Sequence, residues 1–326
     1  MADIARLSGV SSATVSRALN GDPAVKKVTS DRVLEVARSL NYQINVGAAN
    51  LRKREVRTIG VLMLAHLQMV SDPFILSLVG HIADELEQHG LNMLLSRYTQ
   101  DRDQSISALV DTGQASGLIL IGQLSIHDQL NALADRGLPF VVWGGISSDE
   151  RYCVVGGDNL TGGYLATRHL IENGCQQIAY IGDVTFKEGK LRHDGYLRAL
   201  EEYGIPVTSD ICKPLLLRES ELRPAINNWL DSGVRFDGLV ATSDVSAMHL
   251  ISALAARGLS VPGDVKVVGY DDVPMASHMV PSLSSIRQPT DLAAKAMVKN
   301  LICLLNQQKP ESVMLPADLV IRQSSQ

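Results

Sequence analysis

Two hydrophobic rhythms divide the chain near residue 57. Before that point apolar residues recur three and four positions apart, and nothing reads as a strand, which predicts short helices. One runs over about 2–8 and a second over about 12–19, with Ser11 placed as N-cap of the second and Gly9-Val10 as the turn between them. Asn20-Gly21-Asp22-Pro23 stops the second helix. A third, from about Ser30 to Leu40, lays Val33, Val36, Ala37 and Leu40 along one stripe. Three helices with a glycine-containing turn between the first two make a helix-turn-helix arrangement.

From Thr58 onward, short Val/Ile/Leu-rich runs alternate with amphipathic stretches. The runs Ile59–Leu64, Met93–Ser96, Gly117–Ile121, Phe140–Trp143, Ile178–Ile181, Leu239–Thr242 and Val265–Tyr270 have the continuous apolar character of strands buried on both faces. Helices are predicted between them at about 74–89, 103–115, 126–136, 160–173, 190–203, 222–232 and 244–257, and a last one at 290–307. Strand-helix alternation of this length implies an α/β body with parallel sheets in two lobes. Such sheets bind ligands beyond the carboxyl ends of their strands, which singles out Asp72 to Phe74, Gly144 to Ser147, Asp183 to Arg192, Ser243-Asp244 and Asp271-Asp272.

Composition narrows the function classes. The chain has 326 residues, 45% of them hydrophobic, enough for real cores and incompatible with a disordered chain. No stretch approaches the roughly 18 apolar residues of a membrane span, and the opening MADIARLSGVSS lacks the apolar core of a secretory signal, so a cytoplasmic protein without a membrane partner is expected. Cys153, Cys175, Cys212 and Cys303 lie far apart with no CxxC pair, arguing against a metal site or disulfide framework. No dinucleotide, P-loop, zincin or nucleophile-elbow motif is present, and the eight histidines are scattered singly, so no catalytic residues and no cofactor are expected. Charge is unevenly spread: residues 1–57 carry ten Lys/Arg against five Asp/Glu, whereas the whole chain is at −5. A basic head on an acidic body is the asymmetry of a chain whose head alone meets a polyanion.

In a helix starting after Ser11, Ser12, Ala13, Ser16 and Arg17 share the outward face while Val15, Ala18 and Leu19 turn inward. That face is small enough to sit deep in a major groove, with Arg17 able to bond a guanine bidentately. Ser11, Thr14, Ser16 and Asn20 offer donors suited to phosphates. Taken singly, each is an ordinary solvent-facing residue.

The run A-x-x-x-G-V-S-x-x-T-V-S-R-x-L-N, Ala5 to Asn20, resembles the helix-turn-helix signature of the lactose-repressor (LacI/GalR) family. The resemblance extends through Leu51-Arg52, Asp158-Asn159, Arg192-x-x-Gly195-Tyr196, Ser243-Asp244, Val268-Gly269-Tyr270-Asp271-Asp272 and Pro281-Ser282-Leu283-x-x-Ile286-Arg287-Gln288-Pro289. It implies an N-terminal all-α helix-turn-helix head (1–44), a hinge helix or linker (45–57), and an α/β, two-lobed, periplasmic-binding-protein-like body (58–326) of two parallel-sheet, Rossmann-like subdomains. The N-lobe would take about 58–157 and 288–313, the C-lobe about 158–287 and 314–326.

The same resemblance implies a sequence-specific repressor, nucleoid-associated through binding two-fold symmetric, double-stranded operator DNA as a homodimer. Leu51 would wedge into the minor groove with Arg52 beside it. A sugar or sugar phosphate would be the effector, held between the lobes by Pro73, Phe74, Asp158, Arg192, Ser243, Asp271 and Gln288. Gly47 stands where the family commonly has an apolar hinge residue, so Gly47→Ala is expected to tighten operator binding. Gly144 stands where several relatives place an aspartate. No heptad tail follows Ile321-Arg322, which favours a dimer over a tetramer. The alternative class is a sugar-binding protein of periplasmic type with no DNA-binding role; an enzyme such as a sugar-phosphate isomerase comes third, with no motif behind it.

Overall fold

A computed structural model describes residues 2–19, 22, 24–40, 56–64, 71–98, 105–123, 126–207, 211–214 and 219–326, in two compact units divided after Val56. In the first unit, α1 (Ala2–Ser8), α2 (Ser12–Leu19) and α3 (Lys27–Ser39) pack around Ile4, Val15, Ala18, Val33 and Ala37, all buried. The first two helices keep their expected bounds. The third begins a turn earlier than Ser30: Thr29 and Ser30 donate their backbone N–H to the Lys26 carbonyl, so the helix starts on backbone bonds with no side-chain cap for the sequence to reveal. Its stripe is also narrower than expected, with Val36 half-buried and Leu40 exposed.

The second unit holds two six-stranded sheets. Its elements run β1 (Thr58–Leu64), α4 (Pro73–Gln88), β2 (Asn92–Tyr98), α5 (Ala108–Asp111), β3 (Gly117–Ile121), α6 (His127–Asp135), β4 (Phe140–Trp143), β5 (Cys153–Gly157), α7 (Asn159–Glu172), β6 (Ile178–Gly182), α8 (Lys187–Glu202), β7 (Cys212–Pro214), α9 (Glu219–Asp231), β8 (Gly238–Ala241), α10 (Asp244–Ala255), β9 (Lys266–Asp271), β10 (Ser284–Arg287), α11 (Thr290–Leu305), β11 (Val313–Leu315) and β12 (Asp318–Val320). The first sheet has the order β11-β5-β4-β3-β1-β2 and the second β12-β10-β9-β8-β6-β7. All pairings are parallel except β10 with β12.

Both faces of each sheet are covered, which is why the central strands read as unbroken apolar runs. In β1, Ile59, Val61 and Met63 join one core cluster while Leu62 and Leu64 join another on the opposite face. The chain crosses between the sheets three times. Gly157 ends β5 and Asp158 starts the path to the second sheet; β10 leads back through Gln288-Pro289 to α11; and β11 pairs with β5 through Leu315 before β12 joins β10. The last crossing therefore follows Leu315, two residues beyond the expected 313.

The strands absent from the sequence reading are β5, β7, β10, β11 and β12, of which all but β5 are short or polar. In β10, Ser284 and Ser285 are fully buried because their hydroxyls are satisfied, Ser284 Oγ donating to the Arg322 carbonyl at 3.0 Å and Ser285 Oγ to Asp244 Oδ1 at 2.6 Å. The helix expected over 103–115 shrinks, within the described part, to α5. Ser105 and Ser107 bond locally to backbone and to Asp111, a turn that competes with helix at that point.

Candidate functional site

In the first unit, Ser11 Oγ accepts the Thr14 N–H at 3.1 Å, so the residue read as N-cap fills that role. From this start α2 presents Ser12, Ala13 and Arg17 to solvent, with Thr14 and Ser16 half-buried and Val15 and Ala18 facing the core. Leu19 is half-buried against the same cluster. Asn20, Leu51, Arg52 and Gly47 lie outside the described residues.

In the second unit, polar groups collect at the carboxyl ends of the second sheet. Gly163 on α7 and Gly195 on α8 let these two helices close until a Cβ at either position would overlap a backbone carbonyl, Arg192 O at 2.0 Å and Leu160 O at 2.1 Å. That approach sets Arg192 beside the start of α7, where Nε donates to Asn159 Oδ1 at 2.8 Å and Nη1 to the Thr242 carbonyl at 2.5 Å. Its guanidinium lies 3.7 Å from the centroid of the Tyr270 ring, held flat by a cation–π contact. Asn159 and Tyr270, which fix the arginine, stood in the sequence as members of the Asp158-Asn159 and Val268-to-Asp272 motifs, with no role of their own read from them.

Asp271 ends β9 with φ 111° and Asp272 follows with φ 54°, two successive side-chain-bearing residues in the left-handed region. The strained turn is pinned on several sides. Gln288 Nε2 donates to Asp271 Oδ1 at 2.7 Å, the Asp272 N–H to Ser285 Oγ at 3.0 Å and the Val273 N–H to Asp244 Oδ2 at 2.8 Å. Burial lifts the Asp271 carboxyl well above the ordinary carboxylate range; Arg192 opposes this and Asp244 and Asp72 reinforce it.

The first sheet contributes differently. Asp72 caps α4, accepting from the N–H groups of Phe74 at 2.8 Å and Ile75 at 3.3 Å, with Pro73 at the first helical position. This turns Phe74 inward against Trp143, ring centroids 5.9 Å apart, both buried. After β4, Gly144-Gly145 bring backbone close to the other sheet's α8: the Gly145 N–H donates to Glu188 Oε1 at 3.2 Å, and Lys187 Nζ reaches both Ser147 and Glu150. Neither Lys187 nor Glu188 stood out from the 183–192 segment in the sequence.

Asp158 and Ser243 sit at helix starts and serve as caps. Asp158 accepts from the Thr161 N–H at 3.0 Å and Thr161 Oγ1 at 2.7 Å, and Ser243 Oγ accepts from the Ser246 N–H at 3.2 Å. Of the residues expected in a cleft, then, Asp271 and Gln288 are buried and bonded to each other, Arg192 lies half-buried against the neighbouring Tyr270, Phe74 packs on Trp143 at the first sheet, and the two caps fix the helices that follow them. Among the described residues no group of three or more His, Cys, Asp or Glu is arranged to hold a metal ion, and no helix is long and apolar enough to cross a membrane.

A helix-turn-helix unit and a two-sheet unit with a polar cluster at the strand ends, on one chain, define a DNA-binding transcriptional regulator with a ligand-binding-type body. Residues 1–45 match the model of bacterial regulatory proteins of the lacI family, and residues 167–325 match a periplasmic binding protein-like domain. Catabolite control protein A of Priestia megaterium is 30% identical, with 99% of this chain and 98% of that one covered. A lac repressor dimer bound to operator and the anti-inducer ONPF superposes with a TM-score of 0.85 at 25% identity over 99% of this chain and 98% of that one. The transcriptional regulator CelR in complex with cellobiose gives 0.74 at 27% identity over 98% of each. The chain belongs to the lacI family of bacterial regulatory proteins.

Proposed function

We propose that this regulator is a repressor whose operator affinity is set by a small carbohydrate, a sugar or sugar phosphate, bound among Arg192, Asp271, Gln288 and the Phe74–Trp143 wall. The observation behind the reading is the buried Asp271–Gln288 pair with the half-buried Arg192 guanidinium stacked on the adjoining Tyr270. A carboxyl with its second oxygen available, an amide and a cation, all prepositioned by other bonds, suit vicinal hydroxyls, which donate to the acid and accept from the guanidinium. The Phe74 and Trp143 rings offer a surface for the apolar face of a sugar ring. CelR, with its cellobiose, supports the ligand class by similarity.

The signal would run through the contacts that join the two sheets. Lys187 and Glu188 hold the loop after β4, and Gln288 lies at a crossing between sheets, so a ligand that bridges Arg192 and Asp271 on the second sheet to the Phe74–Trp143 wall on the first changes the angle at which the sheets meet. In a homodimer, such a change alters the spacing of two recognition helices on a two-fold operator; coupling of this kind is typically about 1–3 kcal/mol. The head would read DNA through Ser12, Ala13, Ser16 and Arg17, with Ser11, Thr14 and Asn20 on phosphates and Leu51 and Arg52 at the minor groove. The body then acts as a sensor with no catalytic role.

The test has two parts. Genomic fragments retained by the purified chain at about 150 mM salt, where phosphate binding alone is weakened, are expected to share a palindrome. A thermal-shift screen is then expected to find a mono- or disaccharide that raises Tm and changes affinity for that palindrome. Purine-induced shifts with no response to any sugar would overturn the carbohydrate assignment.

A further inference from the structure

Gln123 stands two residues beyond the carboxyl end of β3 and is 93% buried, yet neither its Oε1 nor its Nε2 has a hydrogen-bond partner among the described residues. An orphaned amide buried in this way costs folding free energy on both its donor and its acceptor side. The Tyr152 hydroxyl lies close by and is itself bound to His127 Nδ1 at 3.2 Å. A single hydroxyl can satisfy one end of an amide and leaves the other bare.

The space for this side chain comes from Gly144. A Cβ there would stand 2.6 Å from both Cγ and Cδ of Gln123 and 2.9 Å from Oε1, so any larger residue at 144 would have to displace the amide. Gly144 lies between Trp143, whose ring meets Phe74, and Gly145, which bonds Glu188 of the opposite sheet. The unpartnered amide is therefore on the first sheet's side of the same junction that carries Arg192 and Asp271 on the other.

We propose that Gln123 is a ligand-contacting, specificity-determining residue of this cleft, its amide bonding a pair of neighbouring hydroxyls of the carbohydrate effector. The proposal rests on the carbohydrate reading above for the ligand's class, but the unmet bonding capacity of the amide stands without it. One hydroxyl donates to Oε1 and the next accepts from Nε2, so that a ligand meets both ends of an amide to which the Tyr152 hydroxyl offers at most one bond.

Gln123→Leu tests this, because an apolar side chain of similar volume removes the orphaned groups. The unliganded variant is expected to melt at or above the wild-type Tm, while binding of the responding saccharide, drawn from a panel of ribose, glucose, maltose and cellobiose, weakens at least about tenfold. Gly144→Ala keeps the amide but pushes it aside, and is expected to weaken the same saccharide. A Tm several degrees below wild type for unliganded Gln123→Leu would make the amide structural and sink the proposal, as would unchanged saccharide affinity in both variants. If no saccharide shifts the wild type, the carbohydrate reading fails and the unliganded Tm of Gln123→Leu still decides whether the amide is kept for a ligand. A purine response lost in Gln123→Leu would overturn the hydroxyl-pair assignment, since an amide also pairs with a purine edge.

Discussion

The two sheets of the body share one plan and differ in the chemistry at their strand ends. Each has six strands, with a late chain segment at one edge, β11 or β12. Among the described residues, the first sheet's strand ends carry Phe74, Trp143, Gly122, Gly144 and Gly145, mostly apolar or bare backbone, with Asp72 engaged as a helix cap, Glu150 bound to Lys187 and the Gln123 amide buried beside Gly144. The second ends in Arg192, Ser243, Asp244, Asp271 and Asp272, dense in charge and held by side-chain bonds. Topology fixes where a ligand can sit, and the unequal edges give one lobe the packing surface and the other the directional bonds. The two sides should therefore fail differently when cut.

The largest effect expected is on the apolar side. Phe74→Ala removes a buried ring packed on Trp143 and should cost about 3–5 kcal/mol of stability, read by chemical denaturation; a loss well under 1 kcal/mol would mean the wall is loosely packed. Asp271→Ala should behave in the opposite way. Its carboxyl sits in a strained, desolvating turn, so stability should change little, while saccharide binding should fall by about 2–5 kcal/mol, measured calorimetrically on the folded variant. Equal losses of stability and binding in both variants would erase the contrast between the lobes. In the head, Arg17→Ala should cost about 1–3 kcal/mol at a single base position and relax specificity there. A uniform loss across all operator variants would make Arg17 a phosphate contact. Asp158→Ala should cost about 1 kcal/mol through the lost cap of α7, with Asp158→Asn retaining most of it; a larger loss of saccharide affinity than of stability would return Asp158 to the ligand.

The comparison also explains what the sequence could disclose. Buried parallel strands such as Gly117–Ile121 and Phe140–Trp143 declare themselves because both faces are covered and every position is apolar. β10 does not, because Ser284 and Ser285 are buried through bonds to Arg322 and Asp244 that lie 38 and 41 residues away in the chain. The same holds for the site. Arg192 and Asp271 follow from their place after strands, and the caps Asp158 and Ser243 from their place before helices. Gln123 and Lys187 owe their roles to partners on other elements: a glycine 21 residues on makes room for one, and a carboxylate from the other sheet's loop holds the other. Local pattern reveals position, and long-range pairing, which decides what a polar group has left to offer, stays hidden from it.

The smallest effect expected is a change in pH dependence from the charged lobe, and it isolates that lobe without touching the ligand. Asp244 is fully buried at the start of α10, accepting from Ser285 Oγ at 2.6 Å and the Val273 N–H at 2.8 Å, and faces Asp272 and Arg322. Burial pushes its carboxyl up to about 7, outweighing those hydrogen bonds, while Asp272 raises it further and Arg322 opposes. Unfolded, the same group titrates near the ordinary value of about 3.9. The native state thus holds the proton more tightly than the unfolded chain, so the group's contribution to stability is full below about pH 4 and is lost as pH rises towards 7. Asp271, lifted in the same direction, adds to the trend. Asp244→Asn cannot titrate, and although it forfeits one of two acceptors and should start from a lower Tm, its curve between pH 4 and 7 should be flatter than that of wild type. The slope is the readout, not the level: parallel curves would mean that Asp244 stays ionised on folding and that the charged lobe meets its desolvation cost through bonds alone.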